Sequence, residues 1–227
     1  MEIENLVNQY LDKNDPSGWF EVLYTQANHD PTQVPWATLE PTPQLIQWLQ
    51  KNKPSTSINN KPRAVVVGCG LGDDAQALAN SGYDVTAFDI STTAINWCEQ
   101  RFPDFLVNYL TADLLALPQD WQGKFDFVWE CRTIQALPLN IRGKVISAIA
   151  SLLKPNGKLL LLTHFQDNEK ELSGPPWALS PKDLEKFIQQ GLREKYRTTT
   201  PHNSKPINIA CVEYVNYYSD NSTTTGA

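Results

Sequence analysis

The sequence predicts an α/β fold: a doubly wound, seven-stranded, mostly parallel sheet with its last strand antiparallel, preceded by a helical N-terminal segment. Three observations predict it. From Ala64 onward, short β-branched or aromatic runs alternate with helical patterns, as parallel strands covered on both faces require. The last two strand-like runs have no helix between them, so they should close the sheet as an antiparallel hairpin. The stretch AVVVGCGLGDDAQALA, Ala64 to Ala79, reads as strand, glycine-rich turn and helix. In such a sheet a ligand sits at the carboxyl ends of the strands, near where the strand order reverses.

Each element follows from local chemistry. Residues 1–60 carry Trp19, Phe20, Trp36 and Trp48 among many prolines (Pro16, Pro31, Pro35, Pro41, Pro43, Pro54). Helices are expected near 2–12, 17–27 and 43–51, with a loop through Pro35 and Trp36. The polar stretch KNKPSTSINNKP, 51–62, is a linker rich in turn residues. Strands are expected at 64–68, 84–89, 106–111, 125–130 and 157–163, and helices at 73–81, 91–101 and 138–153. Lys154, Pro155, Asn156 and Gly157 should stop the last of these helices and turn the chain into a strand. Ser180, Pro181 and Asp183 supply an N-cap, a first-position proline and a first-turn acid for one more helix. Strands at 192–200 and 208–217 follow. The tail SDNSTTTGA is polar and expected to fray. The chain thus divides into an N-terminal helical segment (1–60), a core (61–218) and a tail (219–227), all within one domain.

Bulk properties narrow the function. With 227 residues, 41% hydrophobic and 19% charged, the composition is that of an ordinary globular domain with a full core. The net charge of −6 leaves no excess of Lys and Arg to neutralise phosphates, so a nucleic-acid partner is not expected. The opening MEIENLVNQYLDK lacks a basic stretch before an apolar run, so no signal peptide is expected. The leucine run at 158–163 is too short to span a bilayer, and no membrane partner is expected. Cys69, Cys98, Cys131 and Cys211 stand far apart with no CxxC, which suits small buried side chains in a reduced, cytoplasmic protein. No His/Cys/Asp group has metal-ligand spacing, so no metal is expected. Nothing in the chain specifies an oligomeric state; a monomer is the default.

The glycine turn is the informative motif. The dinucleotide fingerprint is G-x-G-x-x-G. Here Gly68, Gly70 and Gly72 are spaced G-x-G-x-G, and Asp73 takes the place of the third fingerprint glycine. A carboxylate at a helix start suits capping but repels a pyrophosphate, which needs the same positive helix end. A cofactor without phosphates fits better. S-adenosyl-L-methionine offers adenosine, ribose and a methionine tail whose ammonium welcomes carboxylates. The next strand ends at Asp89, about 20 residues on, where a ribose-hydroxyl acceptor is expected. The third strand leads into Thr111-Ala112-Asp113-Leu114-Leu115. There Asp113 can accept from the adenine amine and Leu114 can pack on the base. Each also has a structural role available: a tight turn for the glycines, and helix capping for Asp89, Ser91 and Asp113. Their order along successive strand ends favours the ligand reading.

These residues resemble a known family. GCGLGDD, the acid of AFDIS, the Asp of TADLL, the FDFVWE strand and LLKPNGKLLLL are similar to the successive motifs of class I S-adenosylmethionine-dependent methyltransferases, over nearly the whole chain. VPWATLEPTP (34–43), SGPPWALS (173–180) and Trp19 resemble segments of the thiopurine S-methyltransferase family, which also includes thiol and halide methyltransferases. The resemblance implies a Rossmann-like class I fold and an N-terminal lid that brings Trp19 and Trp36 to the cofactor. It implies that Gly68, Asp89, Ile90, Asp113, Leu114 and Cys131 line the cofactor, with Cys69 and Gly70 in the same loop. Two positions depart from the pattern. Trp177 stands where the family loop has Tyr, and Arg132 follows the fourth strand where several members are uncharged. Both fall in the expected acceptor pocket, together with His164.

Methyl transfer from a sulfonium is an in-line displacement that depends on alignment. With a thiolate or halide acceptor, charge disappears along the path, and a dry aromatic pocket assists. Trp19, Trp36 and Trp177 are candidate walls, or else core residues. His164, at the end of the fifth strand, is the candidate base; His29 is an alternative in the lid, and Arg132 is a candidate anion contact. Cys131 is not needed as a covalent nucleophile. A small-molecule methyltransferase acting on a thiol or other soft nucleophile is therefore expected. A nicotinamide-dependent oxidoreductase and a catalytically silent cofactor-binding module remain as alternatives.

Overall fold

The computed structural model describes residues 3–55, 61–104, 106–167, 174–204 and 206–217. The expected frayed tail, the middle of the 51–62 linker and Ser173 lie outside the described residues. Three helices open the chain: α1 (Ile3–Leu11), α2 (Gly18–Ala27) and α3 (Pro43–Lys51). The core follows as β1 (Arg63–Val67), α4 (Asp73–Asn80), β2 (Asp84–Asp89), α5 (Thr92–Arg101), β3 (Val107–Thr111), β4 (Phe125–Cys131), α6 (Arg142–Ser151), β5 (Leu153–Phe165), α7 (Pro181–Gln189), β6 (Leu192–Pro201) and β7 (Asn208–Asn216).

The seven strands form one sheet in the order β3-β2-β1-β4-β5-β7-β6. β1 to β5 pair in parallel, and β7 runs antiparallel to both β5 and β6. This is the predicted architecture with its terminal hairpin. One face packs on a cluster that includes Val128, Ile146, Leu161 and Phe187, the other on one that includes Leu45, Trp48, Phe127 and Leu160. A third cluster joins the N-terminal segment to the core: Leu6, Trp19, Leu23 and Tyr24 pack against Leu71, Ala94 and Trp97.

Local chemistry sets the helix ends. The Asp15 carboxylate accepts from the N–H groups of Ser17 and Gly18 at 3.1 and 2.8 Å, so α2 starts there. Ser180 and Asp183 form a full capping box on α7, with Pro181 in first position. Ser91 caps α5 through its hydroxyl, which accepts from Ala94 N–H at 3.0 Å.

Three expectations shift. The helix expected at 138–153 is confined to 142–151, because a tight 3-10 turn over Leu139–Ile141 follows Pro138. β5 begins early, with Leu153 opposite Phe125. The next register pair is Phe127 with Lys158, so Lys154–Gly157 bulge out, with Asn156 at a φ of 63°. Asp73 does not cap α4. Gly72 occupies the N-cap at a φ of 89°, and Asp73 forms a two-pronged ion pair with Arg101 of α5 at 2.7 and 2.8 Å. A side chain at Gly72 is excluded twice over: its Cβ would lie 2.6 Å from the Tyr109 hydroxyl, in a left-handed backbone that L side chains resist.

Beyond the packing of the third cluster, one acid of α2 ties it to the start of α5. Glu21 accepts from the Ser91 hydroxyl at 2.6 Å and from the Thr93 N–H and hydroxyl at 3.1 and 2.5 Å. Burial alone would raise the Glu21 carboxyl, but these bonds from Ser91 and Thr93 overcome it and hold the group below its ordinary range. We expect Glu21→Ala to cost about 1–3 kcal/mol. Amide exchange should accelerate in α1 and α2 while β1 and β4 stay protected; equal exchange in all four elements would refute the tether.

Candidate active site

The order β2-β1-β4 places the reversal of the sheet between β1 and β4. A cavity of about 490 Å³ opens above it at the carboxyl ends of the strands. From the turn after β1, Gly68, Cys69 and Gly70 line it. Asp89 and Ile90 come from the end of β2, Asp113 and Leu114 from the turn after β3, and Cys131 and Arg132 from the end of β4. His164 comes from β5, and Trp19 and Trp36 from the N-terminal segment. Trp177 is not among the lining residues. Its main chain is pinned, N–H to the Gln135 carbonyl at 2.7 Å and carbonyl from the Arg142 guanidinium at 2.8 Å. Its ring folds over Gly174, so Pro175 and Pro176 reach the wall instead. His29 is also absent from the wall; it packs edge-on against Trp97.

Asp89 organises the glycine turn. It is buried, and its carboxylate accepts from Gly70 N–H and Ser91 N–H, both at 3.0 Å. Burial pushes its pKa up to about 6, opposed by hydrogen bonds from Ser91, Gly70 and Ile90. At Gly68 an added Cβ would lie 2.4 Å from the Thr133 hydroxyl, which itself donates to the Val67 carbonyl at 3.1 Å. The turn therefore packs directly against the loop after β4. Asp113 caps the short turn over Leu114–Ala116, accepting from Leu115 N–H at 2.8 Å.

Asp74 has a different task from the one its place suggests. It accepts from the Thr42 N–H and hydroxyl at 2.6 and 2.8 Å, and from the Trp129 indole at 2.8 Å. It thereby locks the entry to α3 against β4. The roof is aromatic. Trp19 stacks on Phe20 at 3.8 Å between centroids, and Trp36 stands edge-on to both. The Trp36 indole donates to the Tyr24 hydroxyl at 2.8 Å. Burial, then the charge of Asp89, keep the Tyr24 phenol well above its ordinary pKa.

Several wall residues escaped the sequence reading. Phe20 and Tyr24 lie one helical turn apart on α2, and that i, i+4 spacing was a usable signal. Thr133, Gln135 and His202 gave none, because their places depend on loop packing and on the β5–β7–β6 pairing. Glu130 is fully buried beside the site: one oxygen accepts from Thr133 and Ile134 N–H at 2.7 and 2.9 Å, while Oε2 has no partner among the described residues. Burial raises its pKa to about 7. Burial likewise raises the Cys131 thiol, and hydrogen bonding to Cys98 followed by burial raises that of Cys69, so neither is an activated nucleophile.

The chemistry of the wall suits a cation-bearing adenosine cofactor. Glu40, Asp73, Asp74, Asp89 and Asp113 line it, against one basic Lys or Arg side chain, Arg132, among the described residues. Asp73 is paired with Arg101, but a pyrophosphate would still meet Asp74, Asp89 and Asp113. A sulfonium and an ammonium would meet acids and aromatic faces. The buried Trp19 indole N–H also has no acceptor among the described residues. Among the described residues, no cluster of three His, Cys, Asp or Glu is arranged to hold a metal ion, and no helix is long and apolar enough to cross a membrane.

This fold and wall define an S-adenosylmethionine-dependent methyltransferase. Comparison with known proteins is specific. The thiopurine S-methyltransferase family model matches residues 25–213, and the chain belongs to that family. It is 27% identical over 190 residues to a probable thiol methyltransferase 2 of Arabidopsis thaliana, covering 81% of this chain and 76% of that one. It is 28% identical over 167 residues to a thiopurine S-methyltransferase of Legionella pneumophila, covering 66% and 73%. Among solved structures, it aligns with a Burkholderia thailandensis 1,6-didemethyltoxoflavin-N1-methyltransferase bound to S-adenosylhomocysteine, with a TM-score of 0.67, 14% identity and 88% of each chain covered. It also aligns with the magnesium protoporphyrin IX methyltransferase of Synechocystis PCC 6803 bound to S-adenosylmethionine, with a TM-score of 0.63, 20% identity and 95% and 98% covered. These two likenesses concern the fold.

The raised carboxyls give a pH signature. Asp89 at about 6 and Glu130 at about 7 both exceed their unfolded values, so the folded chain holds more protons than the unfolded chain between about pH 4 and 7. Their contribution to stability is therefore greatest at the acid end and is lost as pH rises through 6 to 7. We expect Glu130→Gln to flatten this decline, gaining on the wild type at pH 8 and losing that gain near pH 4. Urea midpoints across pH test it, and parallel curves for both proteins would count against it.

Proposed function

We propose that this methyltransferase transfers a methyl group from S-adenosyl-L-methionine to a small thiol or another soft, anionic nucleophile. The observation that carries the reading is the cavity itself: acid-rich on the strand-end side, aromatic on the lid side, with Arg132 and His164 beside the expected acceptor position. The names of the two relatives, a thiol and a thiopurine methyltransferase, support it. When bound, the cofactor supplies an electrophilic methyl on a sulfonium.

The chain's own residues do the rest. In this reading Asp89 accepts from ribose hydroxyls while bracing Gly70. In the same reading Asp113, which lines the cavity, accepts from the adenine amine, and Leu114 packs on the base. Trp19 and Trp36 exclude water and present aromatic faces to a cation, worth roughly 0.5–2 kcal/mol. Arg132 sits in a left-handed backbone at a φ of 64°, and its buried Nε has no partner among the described residues, which suits an acceptor carrying negative charge. Positioning and a dry wall lower the barrier for a displacement in which opposite charges cancel. We also read the N-terminal segment as a lid, because Tyr24 and Trp36 close over the turn at Gly70.

A panel of thiols, hydrosulfide, halides and metalloid oxyanions, read out as S-adenosylhomocysteine, tests the assignment. Turnover should be confined to soft nucleophiles. Cofactor binding with no turnover on the whole panel would replace the enzyme by a silent module. Asp89→Ala should weaken cofactor binding by about 1.5–3 kcal/mol through loss of charge-assisted hydrogen bonds. In the wild type, affinity should fall as pH drops through about 6, where Asp89 takes up its proton. Calorimetry giving a pH-independent affinity from 5 to 8 would remove Asp89 from the site.

A further inference from the structure

Two histidines line the cavity, His164 from β5 and His202 from the loop after β6, with ring centroids 5.1 Å apart and planes at 90°. Each is a candidate base for taking a proton from an acceptor. Their Nδ1 atoms decide whether they are.

Gln135 is buried beside His164. Its Oε1 lies 2.5 Å from the His164 backbone N and 3.2 Å from the Thr163 hydroxyl, and its Nε2 lies 3.3 Å from His164 Nδ1. A backbone N–H is a donor without alternative, so the atom facing it at 2.5 Å must be the amide oxygen. The reverse amide orientation would set an NH2 group against that N–H. The Gln135 NH2 therefore faces the imidazole and donates to Nδ1. Nδ1 must carry a lone pair, and the neutral ring keeps its proton on Nε2. His202 repeats the pattern with a main-chain donor: Ser204 N–H points at its Nδ1 at 3.2 Å.

We propose that Gln135 and the Ser204 amide hold both cavity histidines with Nδ1 as an acceptor and the ring hydrogen on Nε2, so that neither histidine takes a proton from the methyl acceptor. An imidazole that accepts a proton through Nε2 needs its hydrogen on Nδ1. At His164 that hydrogen would confront the Gln135 NH2, and at His202 the Ser204 N–H. Gln135 is thus a positioning residue acting through His164. The consequence for catalysis rests on the methyl-transfer reading; the tautomer assignment does not.

The tautomer can be read directly. In long-range 1H–15N spectra of histidine-labelled protein at about pH 9, above the ordinary imidazole range, both rings should show Nε2 protonated and Nδ1 bare. Gln135→Glu presents oxygens only, so His164 should switch to Nδ1–H while His202 does not. A wild-type His164 protonated on Nδ1 overturns the proposal without any variant. So does a folded Gln135→Glu protein with an unchanged His164 signature. For function, His164→Gln keeps an amide donor but cannot take up a proton. It should retain activity within about tenfold, against the 10²–10⁴-fold loss typical of a missing base. The pH limb of the wild-type rate should move with the pKa of the thiol used. A limb fixed near the imidazole range for every thiol and abolished in His164→Gln would make His164 the base. Failure of all acceptors would instead fall on the methyl-transfer reading and leave the spectra to judge the tautomer.

Discussion

The bond from Gly70 N–H to the buried Asp89 carboxylate is the constraint on which the cavity depends. It joins the turn after β1 to the end of β2. A buried carboxylate is unfavourable unless well partnered. Here main-chain N–H groups of Gly70, Ser91 and Ile90 serve it, and its pKa still rises to about 6. That arrangement leaves a carboxylate at the cavity wall and keeps the backbone of the turn close to the ligand space. The N-terminal segment then settles on this turn: a Cβ at Gly70 would lie 3.3 Å from the Tyr24 hydroxyl and 3.9 Å from the Trp36 indole nitrogen.

The acids at the starts of α4 and α5 have divided roles. Asp73 holds Arg101, Asp74 holds Thr42 and Trp129, and Glu21 reaches across from α2 to the first turn of α5. A negative charge at a helix start is favoured by the helix dipole. The same charges that fasten the N-terminal segment therefore also stabilise the two helices that carry the site. Asp73 and Asp74, unlike Glu21, also stand at the wall and add to its acidity, which disfavours phosphates and favours a cofactor with cationic centres. In Asp74 a tether and the acidity of the wall coincide.

The acceptor side is built otherwise. There the loop after β4 meets β5, and Gln135 joins the two through the main chain of His164. Glu130 anchors the start of that loop through Thr133 and Ile134. Polar side chains here mostly bond to main chain, so they shape the pocket more than they offer reactive groups. This suits the proposed transfer, in which the acceptor's own charge and alignment supply most of the reactivity.

The parallel strands, their terminal hairpin and the place of the glycine turn were legible in sequence, because they rest on local rules. Alternating strand and helix patterns, a G-x-G-x-G turn with Asp73 after it, and acids at successive strand ends need no knowledge of distant contacts. Those strand ends share one edge, so Gly68, Asp89, Asp113 and Cys131 all come to the cavity wall. What only the tertiary structure decided is which polar group faces which. Asp73 turned from cap to ion-pair partner because Arg101 lies across from it on α5. Trp177 turned away from the cavity because Gln135 and Arg142 pin its main chain. His202 reached the wall because β7 pairs between β5 and β6 and carries the hairpin to that edge. Such choices are made by geometry between residues far apart in the chain, where hydrogen-bond direction and packing leave one arrangement and periodicity carries no signal.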